Sequence, residues 1–188
     1  MPGPTYLTGQ RLSLRAPLKD DIAASASWFP SVFPVSSGKA ETYLKDQLKR
    51  FWWAADEFHL MIVRLKDGQV VGGVVIERPT GPAAEISLRI APSLTFNQAD
   101  RTRADALKLL VPWLLNEAET LTITVNVGAD QLQTLDAAES LGMSHQVRLR
   151  EFLARPGGRV DMIQLQALNP RRAARVTDVP GSGEGELT

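Results

Sequence analysis

The chain has 188 residues, 44% of them apolar, which is enough for one α/β domain with a buried core and too few for two comfortable ones. Lysine plus arginine and aspartate plus glutamate both total 21, so no global charge draws the protein to nucleic acid or an anionic membrane, and any anion site must be local. The absence of cysteine excludes a disulfide framework, a thiolate zinc site and a cysteine nucleophile.

The opening Met1-Pro2-Gly3-Pro4-Thr5 lacks a basic region followed by an apolar one, and no apolar run approaches the roughly 18 to 20 residues that span a bilayer. The expectation is a soluble, cytoplasmic protein. Arg11-Leu12-Ser13-Leu14-Arg15 alternates polar and apolar and predicts a half-buried strand that Pro17 ends. Residues 19–28, acidic at the start and alanine-rich after, predict a helix. Pro30 and Pro34 bracket a loop, and Tyr43, Leu44, Leu48, Phe51 and Trp52 predict a second helix over 41–55.

Residues 58–65 and 69–77 are rich in β-branched and apolar side chains, and Asp67-Gly68 between them signals a tight hairpin. A further strand, 84–90, alternates Ile86, Leu88 and Ile90. A polar loop is expected from Pro92 to about Asp100, then a helix with Ala106, Leu107, Leu110, Val111, Leu114 and Leu115 on one stripe and Pro112 as an awkward interior residue. Residues 121–127 read as a strand and 130–141 as a helix stopped by Gly142. Residues 143–153 and 159–168 read as a hairpin around Pro156-Gly157-Gly158. From Asn169 the chain turns basic and then rich in Gly, Ser, Pro and Glu, so residues 1–168 are expected as one domain and 169–188 as a disordered tail. The order β-α-α-β-β-β-α-β-α-β-β defines an α+β sheet with flanking helices.

Several short elements stand in one order. Leu7-Thr8-Gly9-Gln10-Arg11-Leu12-Ser13-Leu14-Arg15 with Asp20-Asp21, Asp67-Gly68-Gln69-Val70-Val71-Gly72, Ala84-Glu85-Ile86-Ser87-Leu88, Leu141-Gly142-Met143 and Gly157-Gly158-Arg159-Val160-Asp161 together span residues 7–168. This series resembles the GNAT family of N-acetyltransferases, in its ribosomal-protein-acetylating branch. The resemblance implies a twisted, mostly antiparallel mixed sheet of about seven strands with about four helices, and acetyl-CoA as cosubstrate.

In that family the pyrophosphate lies on a Q/R-x-x-G-x-G/A loop at a helix N-terminus, where free N–H groups favour anions. The matching residues are Gln98-Ala99-Asp100-Arg101-Thr102-Arg103, with arginine at both expected glycine positions. Arginine adds a cation for phosphate but also bulk where backbone should approach. The plain structural alternative is a polar helix start with Asp100 as N-cap and both arginines solvated. Ile90 before the loop and Gln131, which stands where the branch has an Asn, complete the implied cofactor-binding set.

Glu85 is the implied general base, with Glu77 as second choice; an outward-facing strand residue is the alternative for Glu85. The position of the family's Tyr general acid is Ala138. Trp28, Phe51, Trp52 and Trp53 fall on the helices that wall the acceptor side, where core packing competes with substrate contact. His59 and His145 lie far apart without an acidic cluster, so neither is given a role and no metal is expected. The implied function is acyl transfer to a primary amine of a small molecule or peptide, with a homodimer as the candidate assembly. The rival is a chain of the same fold that has lost acetyl-CoA binding and serves as a binding module or does other chemistry in the cleft.

Overall fold

The structure, a computed structural model, describes residues 5–29, 35–49, 57–78, 82–116 and 120–170. In chain order these form β1 (Thr5–Thr8), β2 (Leu12–Arg15), a 3₁₀ turn (Lys19–Ala24), α1 (Ser25–Trp28), α2 (Ser37–Lys49), β3 (Glu57–Arg64), β4 (Val70–Glu77), β5 (Ala83–Ile90), α3 (Phe96–Asn116), β6 (Thr122–Gly128), α4 (Leu132–Ser140), β7 (Ser144–Arg155) and β8 (Gly158–Leu168). The eight strands make one sheet in the order β1-β2-β3-β4-β5-β6-β8-β7. Every neighbouring pair is antiparallel except β5 with β6. This is the expected α+β architecture with one strand more, because Thr5–Thr8 pairs with β2 through a turn at Gly9. Of the aromatic residues expected to wall the cleft, Phe51, Trp52 and Trp53 lie outside the described residues.

Strand alternation divides the sheet into two faces. One carries Leu14, Leu60, Ile62, Val74, Ile76, Ile86, Ile123, Val125 and Leu165 and is covered by Ala106, Leu107, Leu110 and Leu114 of α3 with Ala138 of α4. The other buries Met61 and Val63 of β3 beneath Trp28, Ala40 and Leu44 of α1 and α2. Past that cover its positions turn polar: Glu85, Thr122, Thr124, Asn126, Gln164 and Gln166 are all half-buried or exposed.

The motif residues explain themselves as joints between these layers. Arg15 clasps buried Asp21 at 2.8 and 2.6 Å, Asp21 also accepts the Leu18 N–H at 2.7 Å, and the Asp21 carbonyl takes the Trp28 indole N–H at 2.6 Å. That network ties β2 to the first helical turns. Arg11 reaches Asp105 of α3 with two bonds of 2.7 and 2.6 Å. At the other end, Asp161 accepts from the Glu151 N–H at 2.9 Å and from Arg148 at 2.6 Å, and Arg159 donates to the Glu151 and Phe152 carbonyls. Those bonds hold a bulge in β7 where Glu151 takes φ 48°. The Glu151 N–H, then Arg148, hold the Asp161 carboxyl below the usual carboxylate range.

Pro112 sits inside α3 without ending it. Asn169 belongs to the fold: it is 4% exposed and donates to the carbonyls of Leu115 and Thr120. Residues 171–188, the bulk of the expected tail, lie outside the described set.

Gly72 shows where a motif glycine is obligatory. A Cβ there would press on the Arg89 carbonyl oxygen of β5 and lie 3.1 Å from Ile90. Gly68, at φ 69° in the hairpin turn, has open space around it. In urea unfolding, Gly72→Ala is expected to cost about 2 to 3 kcal/mol through overpacking, and Gly68→Ala about 1 kcal/mol through backbone strain alone.

Candidate active site

The parallel pair β5 and β6 is joined only over Ala83↔Thr122 to Ile86↔Val125. β5 then runs on to Ile90 and β6 to Gly128 without pairing to each other. The sheet therefore forks at the C-terminal ends of two parallel strands, where open α/β sheets receive ligands. A strand edge left unpaired in this way offers main-chain hydrogen bonds to an extended, amide-bearing molecule. Asn126, the first β6 residue past the pairing, donates from Nδ2 to Glu85 Oε1 at 3.1 Å, and Gln164 Nε2 donates to Asn126 Oδ1 at 3.4 Å. Glu85 is half-buried at the base of the fork, on the polar side of the sheet.

Glu85 is not alone there. Register places Glu57 opposite Glu77 and Glu77 opposite Glu85, so three carboxylates share one row and one face across β3, β4 and β5. At the usual strand spacing the backbones of Glu57 and Glu85 are about 10 Å apart. Like charges directly opposite one another are unfavourable, so the row favours cations. His59, two residues from Glu57, is buried and lies with Nε2 2.6 Å from Glu57 Oε1 and 2.9 Å from the Tyr43 hydroxyl. Trp28 is buried at 1% exposure and packs among Phe29 and Tyr43, with ring centroids at 5.8 and 6.2 Å.

Over the fork stands the start of α3, which differs from the expected loop. The connection is only residues 91–95, and Gln98 to Arg103 are helical. The reason is local: glycine would disfavour a helix there, whereas Ala99, Arg101 and Arg103 are good helix formers. Thr95 and Gln98 form a reciprocal capping box, Gln98 Oε1 accepting the Thr95 N–H at 3.0 Å and Thr95 Oγ1 the Gln98 N–H at 3.4 Å. From Ala99 onward the amides bond back along the helix, beginning with Ala99 N–H to the Thr95 carbonyl at 2.9 Å. Among the described residues, the first-turn N–H groups of Phe96 and Asn97 stand ahead of the helical ladder with no capping bond.

Asp100 is a cap, but of a different helix from the one the sequence suggests. Its buried carboxylate takes the Gln133 N–H at 2.9 Å, the Thr134 N–H at 3.1 Å and the Thr134 hydroxyl at 2.6 Å, closing the N-terminus of α4. Gln131, at the N-cap position of α4, is also buried and turns its Oε1 onto the Gly128 N–H at 2.9 Å. Thr102 Oγ1 donates to the Gln98 carbonyl at 2.8 Å.

The two arginines remain. Arg101 is exposed, bonded through Nε to Gln133 at 3.2 Å, and lines a cleft of about 170 Å³ with Arg11, Arg64, Leu94, Gln98 and Thr102. Arg103 is half-buried on the helical stripe of Ala99, Leu107 and Leu110 that faces the sheet. Burial pushes its guanidinium below the ordinary value and Arg155 adds to this, while Asp100 and Asp130 oppose it. Arg11, Arg64 and Arg155 each hold a carboxylate, in Asp105, Asp67 and Asp130. Arg101 and Arg103 hold none among the described residues.

The structure thus brings Glu85, Ile90, the α3 start and Gln131 around one fork, with Ala138 fully buried in α4 at 0% exposure. It turns Gln98, Asp100 and Gln131 onto the protein's own backbone. Sequence reasoning missed Asn126 and Gln164, although the alternation of Thr122, Thr124 and Asn126 on β6 marks a polar face. Among the described residues no group of three metal-ligating side chains occurs, and no helix is long and apolar enough to cross a membrane.

A forked mixed sheet with a long crossover helix starting above the fork defines a distinct class of α+β fold. The similarity to solved structures makes this specific. A protein from Sphaerobacter thermophilus, provisionally assigned as an acetyltransferase, is 42% identical over 87% of this chain and 97% of its own, at a TM-score of 0.68. The chain belongs to the GNAT family of acetyltransferases. The spermidine/spermine N-acetyltransferase of Vibrio cholerae shares the fold at 16% identity, over 88% of this chain and 96% of that one, with a TM-score of 0.62. A Vibrio cholerae protein provisionally assigned as a ribosomal-protein-serine acetyltransferase does so at 17% identity, over 88% and 99%, with a TM-score of 0.60. No family model and no curated protein matches the chain.

Because Asp100 caps α4, Asp100→Ala is expected to lower stability by about 2 kcal/mol, the cost of a lost cap plus a buried donor left open. Asp100→Asn, which keeps one acceptor oxygen, is expected to lose about half of that. Urea titration followed by circular dichroism measures both.

Proposed function

We propose that the chain transfers an acyl group, in the simplest case acetyl, from acyl-CoA to a primary amine carried by a small polycation. The observation that carries the reading is the fork itself, with Glu85 and Asn126 joined across its base in a chain of this family. The thioester supplies the activated acyl group. The protein's part is to hold the amine nitrogen against it and to remove the amine's proton. Glu85 receives that proton on the oxygen not engaged by Asn126, and the amine lone pair forms the new C–N bond as the C–S bond breaks. With Ala138 where the family's Tyr would stand, the departing thiolate takes its proton from water.

Phosphate groups fit the α3 start in an altered way. The N–H groups of Phe96 and Asn97 stand at its positive end, and Arg101 and Arg103 supply guanidinium groups not already held by a carboxylate. Side chains thus take over from the glycine backbone. For the acceptor, the row Glu57, Glu77 and Glu85 favours an amine with further positive charge. The Vibrio cholerae enzyme of the same fold is named for such amines, spermidine and spermine.

The carboxylate of Asp100 beside this site favours a second reading, in which the chain has lost acyl-CoA and the fork serves another ligand. Calorimetry with acetyl-CoA separates the two: heat is expected, and none at millimolar ligand with folded protein would sink the acyltransferase reading. Arg101→Ala and Arg103→Ala are each expected to weaken binding about tenfold, the worth of a charge-assisted hydrogen bond; tighter binding would mark the arginines as obstructions. Glu85→Gln is expected to lower kcat for spermidine acetylation about a hundredfold with acetyl-CoA affinity unchanged, as read by mass spectrometry of the product.

A further inference from the structure

His59 takes no part in the reaction just described, yet it occupies a position where its neighbours on the same strand face, Met61 and Val63, are apolar core residues. At 5% exposure an imidazole must find partners. It finds Glu57 Oε1 at 2.6 Å and the Tyr43 hydroxyl at 2.9 Å, while that hydroxyl lies 3.3 Å from the same Glu57 oxygen. Tyr43 belongs to α2 and meets His59 edge to face, with centroids 5.4 Å apart at 82°. Glu57 is therefore gripped from the strand beneath and the helix above. At the far end of the row Glu85 is held by Asn126, whereas Glu77 between them makes no side-chain hydrogen bond among the described residues and is exposed. The row has two fixed ends and a free middle.

We propose that His59 is a positioning residue which, by donating to Glu57, fixes that carboxylate as the distal anchor for the second cation of the acceptor. This rests on the reading of the cleft as a site for a cationic amine. A pre-set anchor loses no side-chain freedom when the ligand arrives, so it discriminates an amine with two charges from one with a single charge. The anchor acts on binding, since it stands about 10 Å, two strand spacings, from Glu85.

The test uses the full chain with acetyl-CoA, and spermidine or butylamine as acceptor. His59→Leu is expected to raise the KM for spermidine about tenfold, with kcat within about twofold and the KM for butylamine unchanged. His59→Gln, whose amide still donates to Glu57, is expected to restore the spermidine KM. Equal losses for both amines, or no rescue by the folded His59→Gln protein, would overturn the proposal. If His59→Leu does not fold, Glu57→Gln replaces it with the same expectation. If the unaltered chain acylates neither amine, acyl transfer itself fails, and calorimetry with spermidine alone decides about His59. Binding lost in His59→Leu then supports the anchor; equal binding in both proteins, or none in the unaltered chain, refutes it.

Discussion

The single parallel pairing, β5 with β6, is the constraint on which the remaining architecture turns. Antiparallel neighbours need only a turn between them, but parallel neighbours need a crossover, and here α3 supplies it with 21 residues. A crossover helix must start where the first strand ends, so its positive end arrives at the top of β5. Twisted parallel strands that stop pairing after four residue pairs leave their upper halves apart. Fork and helix end are thus two consequences of one connection.

What could be read from sequence followed from how local each signal is. The Asp67-Gly68 hairpin, the α3 stripe of Leu107, Leu110 and Leu114, and the glycine turn of the last hairpin depend on neighbours in the chain, and all occupy the elements that their patterns imply. Thr5–Thr8 carries too short a pattern to mark a strand and becomes one only because β2 offers an edge. The start of α3 was misplaced for a subtler reason. A family pattern places a loop at Gln98, whereas the residues present are helix formers and prolong the helix to a capping box at Thr95. Local propensity thus sets where α3 begins.

The site shows the limit more sharply. Glu85 could be picked out by its strand and its motif, but its partnership with Asn126, 41 residues on, depends on which strands lie side by side. The same holds for Glu57, Glu77 and Glu85, which no spacing rule joins and which only register brings into a row. Asp100 is the clearest case. Its capping character was legible, since Asp before a helical run is a familiar N-cap, but the N-terminus it closes belongs to α4, and tertiary packing alone chooses that.

Backbone N–H groups and arginine side chains differ in the physics of holding an anion. A phosphate held by backbone N–H groups meets donors already fixed by the fold. Arginine side chains must surrender rotamer freedom to do the same work, and an exposed one such as Arg101 would do so through a solvent that screens it. Arg103 differs, because packing on the sheet-facing stripe has already restricted it and burial has stripped part of its hydration. Its neighbours Asp100 and Asp130 oppose that shift, and the carboxylate of the first also accepts the N–H groups of α4. Asp100 therefore does two things with one carboxylate. It caps α4, and it opposes the shift that burial imposes on the half-buried Arg103. Asp100 and Arg103 therefore have a physical reason to occur together in the fold itself.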